Sequence, residues 1–295
     1  MGFSVKQIEV RITLAKGSFG GRGTEKVING LPVSVRISKP GGKDKNKAKI
    51  SIGGMAYADM EQLTTLAFRP LQMDKNLIAV YAGDAETGLS QVFAGEITTA
   101  WADFNRAPDV VFQVEAMAGY YPALIAAGPQ SVAGSMSAAD FVSMQAQAAG
   151  YAFDNQGVTA QIKDCIFNGS PVQKAQACAA QVGATLLIDD DTFIFLPPGQ
   201  ARKGDAVVLT PQTGMLGYPT FSSDGIEVTA IFDPAFKLGG LIEVQSVVPK
   251  ASGVWRVTKL EHSLAANVPG DGKWETKISA AYEANRQASS VQGTV

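Results

Sequence analysis

The chain contains few side chains that could perform acid–base, nucleophilic or metal chemistry. One histidine, His262, and two cysteines, Cys165 and Cys178, occur in 295 residues. A clustered histidine metal site and a four-cysteine zinc site both need more ligands than this. No Gly-x-Ser-x-Gly motif offers His262 a serine, although a triad can assemble from any sequence positions. We interpret His262 as a structural or surface residue and the cysteines as small buried residues. We predict no catalytic, cofactor-binding or metal-binding residues, and no enzymatic activity.

Two short motifs resemble ligand-binding sequences but lack their defining features. Residues 17–23 are rich in glycine, yet they have neither the Gly-Lys-Ser/Thr end nor the Gly-x-Gly-x-x-Gly order of a phosphate-binding loop. Asp189, Asp190 and Asp191 could attract a hard cation, but three consecutive carboxylates on a strand cannot all point at one ion. The sequence favours a solvated hairpin turn at the acidic run and no cofactor.

Two segments of the first third have unusual compositions. Residues 16–29 are rich in glycine without an apolar period, and residues 39–49 contain five lysines. The lysine run has no interleaved aromatic residues, and the chain's net charge is −2, so nucleic-acid binding is disfavoured. We predict two mobile surface loops; the alternative is that a partner orders them.

The composition is that of a globular protein of about two domains, or three small ones. Hydrophobic residues make up 46% and charged residues 18% of the sequence. The longest apolar runs are far shorter than the ~20 residues that span a bilayer, so we expect no stable membrane binding.

The positioning elements of the first third are predicted to be mainly strands. Apolar residues alternate with polar ones at Ile8, Val10, Ile12 and Leu14, which indicates a half-buried strand. The same reasoning predicts strands at 31–37, 50–52, 77–81, 92–99 and 110–116. One helix is predicted from residue 57 to 68.

The middle third changes to a mixed α/β pattern. Ser137 and Ser170 are predicted helix N-caps, the second followed by Pro171 and, three residues after the cap, by Gln173. A strand at 158–162 and a hairpin at 185–188 and 193–196 complete this part. The last third returns to strands, predicted at 206–210, 226–232, 241–246, 254–262 and 274–282.

A weak internal repeat links the two β-rich parts. Phe93 and Phe112 are separated by 19 residues, as are Trp255 and Trp274, and similar strand-opening sequences precede both pairs. Chance similarity between two hairpins is the alternative. The repeat favours a mainly β fold with two related tail-tube-like barrels, 1–118 and 204–285, around a small α/β domain, 119–203. Residues 286–295 are predicted to be a flexible tail.

The order of several segments resembles bacteriophage tail baseplate hub proteins. The segments that carry the resemblance are 77–83, 92–97, 107–119, 213–219, 232–246, 253–264 and 274–276. They span most of residues 48–283, and no single motif among them is specific.

The resemblance implies a structural protein of the virion, assembled in the host cytoplasm and located in the tail baseplate. It implies a homotrimer with two tube-like barrels per chain, which would join a hexameric tail tube to a trimeric spike around a lumen for DNA. Tape measure and baseplate wedge proteins are further possible partners by the same resemblance. Two alternatives remain open: a cell-wall-degrading enzyme of the tail tip, and a distal-tail or tube component.

Overall fold

The structure is a computed structural model that describes residues 5–21, 23–42, 44–64, 75–105, 109–124, 127–270 and 272–282. These residues form 18 strands and four short or medium α-helices. The predicted mainly β fold with an α/β insertion is confirmed.

The first part of the chain forms seven strands and one helix. They are β1 (Lys6–Thr13), β2 (Glu25–Ile28), β3 (Val33–Lys39), β4 (Lys47–Gly53), α1 (Tyr57–Leu63), β5 (Leu77–Asp84), β6 (Gly88–Asp103) and β7 (Val111–Met117). The prediction that residues 16–29 form only a mobile loop is wrong, because β2 lies within them and Phe19 is buried. The predicted end of α1, residues 65–68, lies outside the described residues.

The middle part contains three helices and five strands. They are α2 (Tyr120–Leu124), β8 (Gln130–Ser137), α3 (Ala138–Ala149), β9 (Ala152–Asn155), β10 (Gln161–Phe167), α4 (Pro171–Gln181), β11 (Thr185–Asp189) and β12 (Thr192–Leu196). Both N-caps are confirmed: Ser137 accepts a bond from the Asp140 amide, and Ser170 forms a reciprocal capping box with Gln173. β8 and β9 were not predicted.

The last part consists of six strands. They are β13 (Val207–Leu209), β14 (Met215–Ser222), β15 (Gly225–Ile231), β16 (Leu241–Val244), β17 (Gly253–Ala266) and β18 (Trp274–Tyr282). β14 escapes prediction because Gly217 and Pro219 interrupt its alternation. Proline is tolerated there because β14 is the terminal strand of its sheet. The predicted flexible tail lies outside the described residues.

Strands from both ends of the chain share one 13-stranded sheet. Its main path runs β14-β15-β18-β17-β3-β4-β7-β6-β5-β1-β2, with β13 and β16 attached beside β17. The join is the antiparallel pairing of β17 with β3, from Leu260 opposite Lys39 to Ala266 opposite Val33. The sequence predicts that residues 1–118 and residues 204–285 each form a barrel that closes only on its own strands. The cross-pairing corrects that expectation, and the number of barrels stays a prediction.

The apolar side chains form three buried clusters. The first is built mainly from β1 to β7, the second mainly from β13 to β18, and the third from α3, α4 and the strands around them. Some residues cross over: Phe232 and Leu264 join the first cluster, and Leu187 and Ile194 of the middle part join the second. The boundaries at 118/119 and 203/204 remain a prediction.

The β6–β7 and β17–β18 hairpins have the same register. Ala102 pairs with Phe112, and Leu264 pairs with Trp274. Each residue of the second pair lies 162 positions after its counterpart in the first pair. The strand orders β3-β4-β7-β6 and β14-β15-β18-β17 also correspond. We call these two groups of strands the first and second four-strand units.

Each hairpin also contains one bulge, and a threonine sits at both. The Thr98 hydroxyl donates to the carbonyl of Glu115, and the Thr258 hydroxyl donates to the carbonyl of Ser279, both at 3.0 Å. In the two ladders, Glu115 pairs with Thr99 and Ser279 pairs with Lys259. Each acceptor residue therefore lies opposite the residue that follows the threonine. A bulge leaves local backbone groups unpaired, and the hydroxyl satisfies one of them in both units.

Candidate functional site

The most buried polar cluster lies where the three parts of the chain meet. β3 turns Val33, Val35, Ile37 and Lys39 to its buried face, because side chains on a strand alternate. The last of these side chains is charged and therefore needs a buried partner. Lys39 Nζ lies 2.6 Å from Oδ1 of Asp189, the last residue of β11.

The neighbouring groups complete this cluster, which we call the polar junction. Lys39 Nζ also lies 3.1 Å from Oδ1 of Asp190, and Arg202 lies 3.2 Å from Oδ2 of Asp189. The Asn46 amide donates to the carbonyl of Ile188 at 3.0 Å. The junction therefore connects the β3–β4 hairpin, the middle part and the segment that leads to β13.

Two sequence predictions fail at the polar junction. The acidic run does form a hairpin turn, but Asp189 is buried and Asp190 is held against Lys39 instead of being solvated. Residues 39–49 are not simply a mobile surface loop, because Lys39 and Asn46 are buried. No local pattern reveals the pairing, since the partners are 150 residues apart.

The charges of the polar junction stabilise one another against desolvation. Burial by itself raises the pKa of Asp189, but the Lys39 charge and hydrogen bond, with Arg202, outweigh it and hold that pKa below its ordinary value. Burial lowers the pKa of Lys39, but both aspartates outweigh this effect and raise it. Burial prevails at Asp190, whose pKa is raised. Lys39 and Asp189 therefore form a buried ion pair near neutral pH.

A second contact fixes the start of the middle part against β6. Glu96 accepts a hydrogen bond from the Tyr120 amide at 3.0 Å and one from the Tyr151 hydroxyl at 3.3 Å. The same hydroxyl accepts from the Gly119 amide at 2.7 Å. Burial raises the pKa of both Glu96 and Tyr151. These bonds hold Gly119 and Tyr120, which lead from β7 into α2, against Tyr151 and Glu96.

The residues with potential for chemistry are dispersed. His262 is buried, its Nδ1 lies 2.9 Å from Oγ1 of Thr276, and its ring meets Phe232 edge-on. Burial, with the nearby Lys39 charge, lowers the pKa of His262 to about 3, so the ring is neutral at pH 7. Cys178 is buried as predicted, whereas Cys165 is only half-buried.

The described part of the chain contains no group of three or more potential metal ligands. Within the same residues, no helix is long and apolar enough to cross a membrane.

The face of the main sheet opposite the cores is polar and continuous across both four-strand units. We call it the outer face. One row of paired residues crosses five strands: Glu275, Ser263, Arg36, Lys49 and Glu115. Charges of opposite sign pair on this face, as in the contacts Lys49–Glu115, Lys259–Glu261 and Lys277–Glu227 at 2.7–2.8 Å.

Five exposed apolar residues lie at the two lateral ends of the four-strand units. Trp101 lies on β6 and Phe104 just beyond it, while Leu216, Tyr218 and Phe221 lie on β14. Surface apolar residues grouped at sheet edges commonly mark interaction sites.

The fold is that of bacteriophage tail proteins. A 43 kDa tail protein of prophage MuSo2 from Shewanella oneidensis matches with a TM-score of 0.63 and 10% identity, over 93% of this chain and 97% of that one. A tail protein from Neisseria meningitidis MC58 matches with a TM-score of 0.65 and 10% identity, over 95% and 97%.

A third similar structure comes from a secretion system. It is an Escherichia coli component of the type VI secretion system, described as structurally similar to the T4 tail proteins gp27 and gp5. The match has a TM-score of 0.57 and 11% identity, over 86% of this chain and 74% of that one. No curated protein sequence matches the chain.

Residues 7–268 match the family model described as baseplate hub gp41. The chain therefore belongs to the baseplate hub gp41 family, and the resemblance drawn from the sequence is confirmed.

Proposed function

We propose that this protein is the structural hub of a phage tail baseplate and acts as a homotrimer that joins the hexameric tail tube to the trimeric spike. The observation that carries the proposal is the presence of two four-strand units with corresponding strand order, side by side in one sheet. Their hairpins share a register over Ala102–Phe112 and Leu264–Trp274.

The stoichiometry follows from symmetry. A hexameric ring offers six equivalent surfaces, whereas a trimeric spike offers three. Three copies of a chain with two similar units present six similar surfaces on one side and true threefold symmetry on the other. A chain with one unit would match the tube but not the spike.

The outer face suits the wall of a passage for DNA. Affinity for DNA grows with the number of phosphates that lysine and arginine neutralise. On the outer face, lysines such as Lys49 and Lys277 are paired with glutamates. DNA would therefore meet a hydrated surface with few free cations and pass without strong binding.

The partners follow from the same proposal. The tube or a tube-initiator protein would contact one side of the trimer and the spike the other, with tape measure and wedge proteins as further neighbours. The E. coli relative in fold is described as similar to two T4 tail proteins, which supports a place near a spike.

Two alternatives make different predictions. A cell-wall-degrading enzyme that used His262 as its catalytic base would need this ring to be accessible, yet His262 is buried and bonded to Thr276. A distal-tail or tube component needs only one tube-like unit per chain. The paired units favour the hub over both.

The test is the mass in solution by light scattering, alone and after mixing with the tube and spike proteins. We expect a species near three times the 30.9 kDa chain mass, which binds both partners. A ring of six chains, or a protein that binds neither partner, would contradict the proposal. Peptidoglycan hydrolysis that disappears in His262→Ala would instead support the enzyme.

A further inference from the structure

We propose that Asn29 is a site of spontaneous deamidation, at which the side-chain amide becomes a carboxylate, and that the fold protects the other candidate, Asn168. Asparagine loses its amide most readily when glycine follows it, because glycine has no Cβ to hinder the reaction. The chain contains two such pairs, Asn29–Gly30 and Asn168–Gly169. The pairs are alike in sequence, and the reaction does not depend on the proposed hub function.

The reaction needs only the chain itself and water. The backbone nitrogen of Gly30 gives its proton to hydroxide or water and attacks Cγ of Asn29, after which the Cγ–Nδ2 bond breaks and ammonia leaves. Water then opens the resulting succinimide ring. Opening at Cγ gives aspartate, and opening at the backbone carbonyl carbon gives isoaspartate, in which the main chain runs through the side chain. One water is consumed, one ammonia is released, and no group is oxidised or reduced.

The surroundings of Asn29 allow the two reacting atoms to meet. Asn29 and Gly30 are both exposed in the turn between β2 and β3. Gly30 has a φ of 71°, and a Cβ placed on it would meet no atom within 4 Å. Within the described residues, no hydrogen bond restrains the Gly30 amide. Rotation about the Cα–C bond of Asn29 can therefore bring this nitrogen towards Cγ without moving a packed neighbour.

The residues that follow Asn168 are held by the start of α4. Gly169 is half-buried, and a Cβ placed on it would collide with Oε1 of Gln173. Ser170, the N-cap, is buried; its amide donates to Gln173 Oε1 at 2.9 Å, and its hydroxyl accepts from the Gln173 amide at 3.3 Å. Moving the Gly169 nitrogen onto Cγ of Asn168 would disturb this capping box. The reaction at Asn168 therefore requires the first turn of α4 to open.

Conversion of Asn29 would alter the connection to β3, the strand that joins the two four-strand units. The carbonyl of Leu31 accepts a hydrogen bond from Nδ2 of Asn267, in the turn between β17 and β18, at 3.3 Å. Isoaspartate adds a methylene group to the main chain shortly before this contact, and both products add a negative charge. We expect the contact between the two turns to weaken as the protein ages.

Peptide mapping by mass spectrometry tests the site in the full chain, after incubation in a mildly alkaline buffer. Aspartate and isoaspartate should accumulate at position 29 at least tenfold faster than at position 168, with release of ammonia. An enzyme that methylates isoaspartyl carboxylates should label the aged protein. Asn29→Gln, treated in the same way, should be labelled at least tenfold less, because the longer side chain does not form the succinimide ring.

Unfolding provides the matched control, since the two pairs then differ only in their neighbouring sequence. In urea, the rate at Asn168 should rise to within a few-fold of the rate at Asn29. Ser170→Ala removes the hydroxyl of the capping box. In the folded protein, this variant should speed the reaction at Asn168 and leave the rate at Asn29 unchanged.

Three results would overturn the proposal. Two of them are equal rates at the two sites in the folded protein and a faster reaction at Asn168. The third is a preference for Asn29 that persists unchanged in urea, because the neighbouring sequence and not the fold would then select the site. The trimer and its partners are tested separately, by the mass in solution.

Discussion

Lys39 Nζ lies 2.6 Å from Asp189 Oδ1, and both side chains are 5% exposed although 150 positions separate them. The pair connects the strand that joins the two four-strand units to the turn of the middle part. A charge held this deeply requires its counterpart to be in place. The pair therefore helps to fix how the three parts of the hub meet.

Asp189→Asn should lower the free energy of unfolding by about 3 kcal/mol, because it removes the shorter carboxylate contact of the buried Lys39 charge and leaves Asp190, 3.1 Å away, as its remaining carboxylate partner. Urea denaturation of the purified chain measures the change. Lys39→Met combined with Asp189→Leu removes both charges and should recover much of the loss. A double variant no more stable than Asp189→Asn would contradict this account of the pair.

The exposed pair Lys49–Glu115 provides a matched comparison for the buried one. The Lys49 side chain is 74% exposed, so water screens the pair. Lys49→Met should change the free energy of unfolding by no more than about 1 kcal/mol. A loss as large as that of Asp189→Asn would show that burial is not what distinguishes the two pairs.

His262 should give stability a dependence on pH that other residues do not share. Burial lowers the pKa of His262 from 6.5 to about 3, and it is the only histidine. As the pH falls below 6.5, the unfolded chain takes up a proton that the folded chain resists. The free energy of unfolding should therefore fall by about 1.4 kcal/mol per pH unit between 6 and 4.

The variant that isolates this effect is His262→Gln, compared with the natural chain across the same pH range. The natural chain should lose stability more steeply, by that slope, while contributions from carboxylates cancel in the difference. Parallel curves would mean that His262 titrates normally in the folded state. Infectivity of the variant virion should stay close to that of the natural virion at pH 7.

Gly41 should be far less replaceable than its neighbour Gly42. Both have a positive φ, of 71° and 63°. A Cβ on Gly41 would lie 2.5 Å from the carbonyl oxygen of Thr258, whereas one on Gly42 would meet open space. Gly41→Ala should therefore cost about 2 kcal/mol more than Gly42→Ala in chemical denaturation. Equal costs would indicate that this turn does not pack on β17.

The two tryptophans of the repeat, Trp255 at the position of Phe93 and Trp274 at the position of Phe112, should differ in their contribution to the free energy of unfolding. Trp255 is buried in the second cluster and donates from Nε1 to the carbonyl of Ala251 at 2.9 Å. Trp274 is half-buried and packs against the first cluster, edge-on to Phe232. Trp274 therefore contributes to the first cluster although its strand, β18, belongs to the last part of the chain.

Trp255→Ala should lower the free energy of unfolding by about 3–5 kcal/mol, the usual loss when a buried aromatic side chain is truncated. Trp274→Ala should lower the free energy of unfolding by clearly less than Trp255→Ala does, since part of the Trp274 ring already contacts water in the folded chain. Thermal and urea denaturation of both variants measures the order. The reverse order would contradict the burial of the two rings.

Local patterns in the sequence determined most of the elements. The alternation at Ile8–Leu14 fixes one face of β1, and Ser170 with Gln173 starts α4 through bonds that span only three residues. The order of segments also identified the family correctly. These features depend on neighbours in the chain, so a single sequence contains them.

The joining of the elements was decided only in three dimensions. The pairing of β17 with β3, and the contact of Lys39 with Asp189, bring together residues more than a hundred positions apart. Lys39 lies within a lysine-rich segment and Asp189 within an acidic run, and local composition predicts that both are solvated. Burial reverses that prediction, because a charge can leave water only when the folded chain supplies its partner.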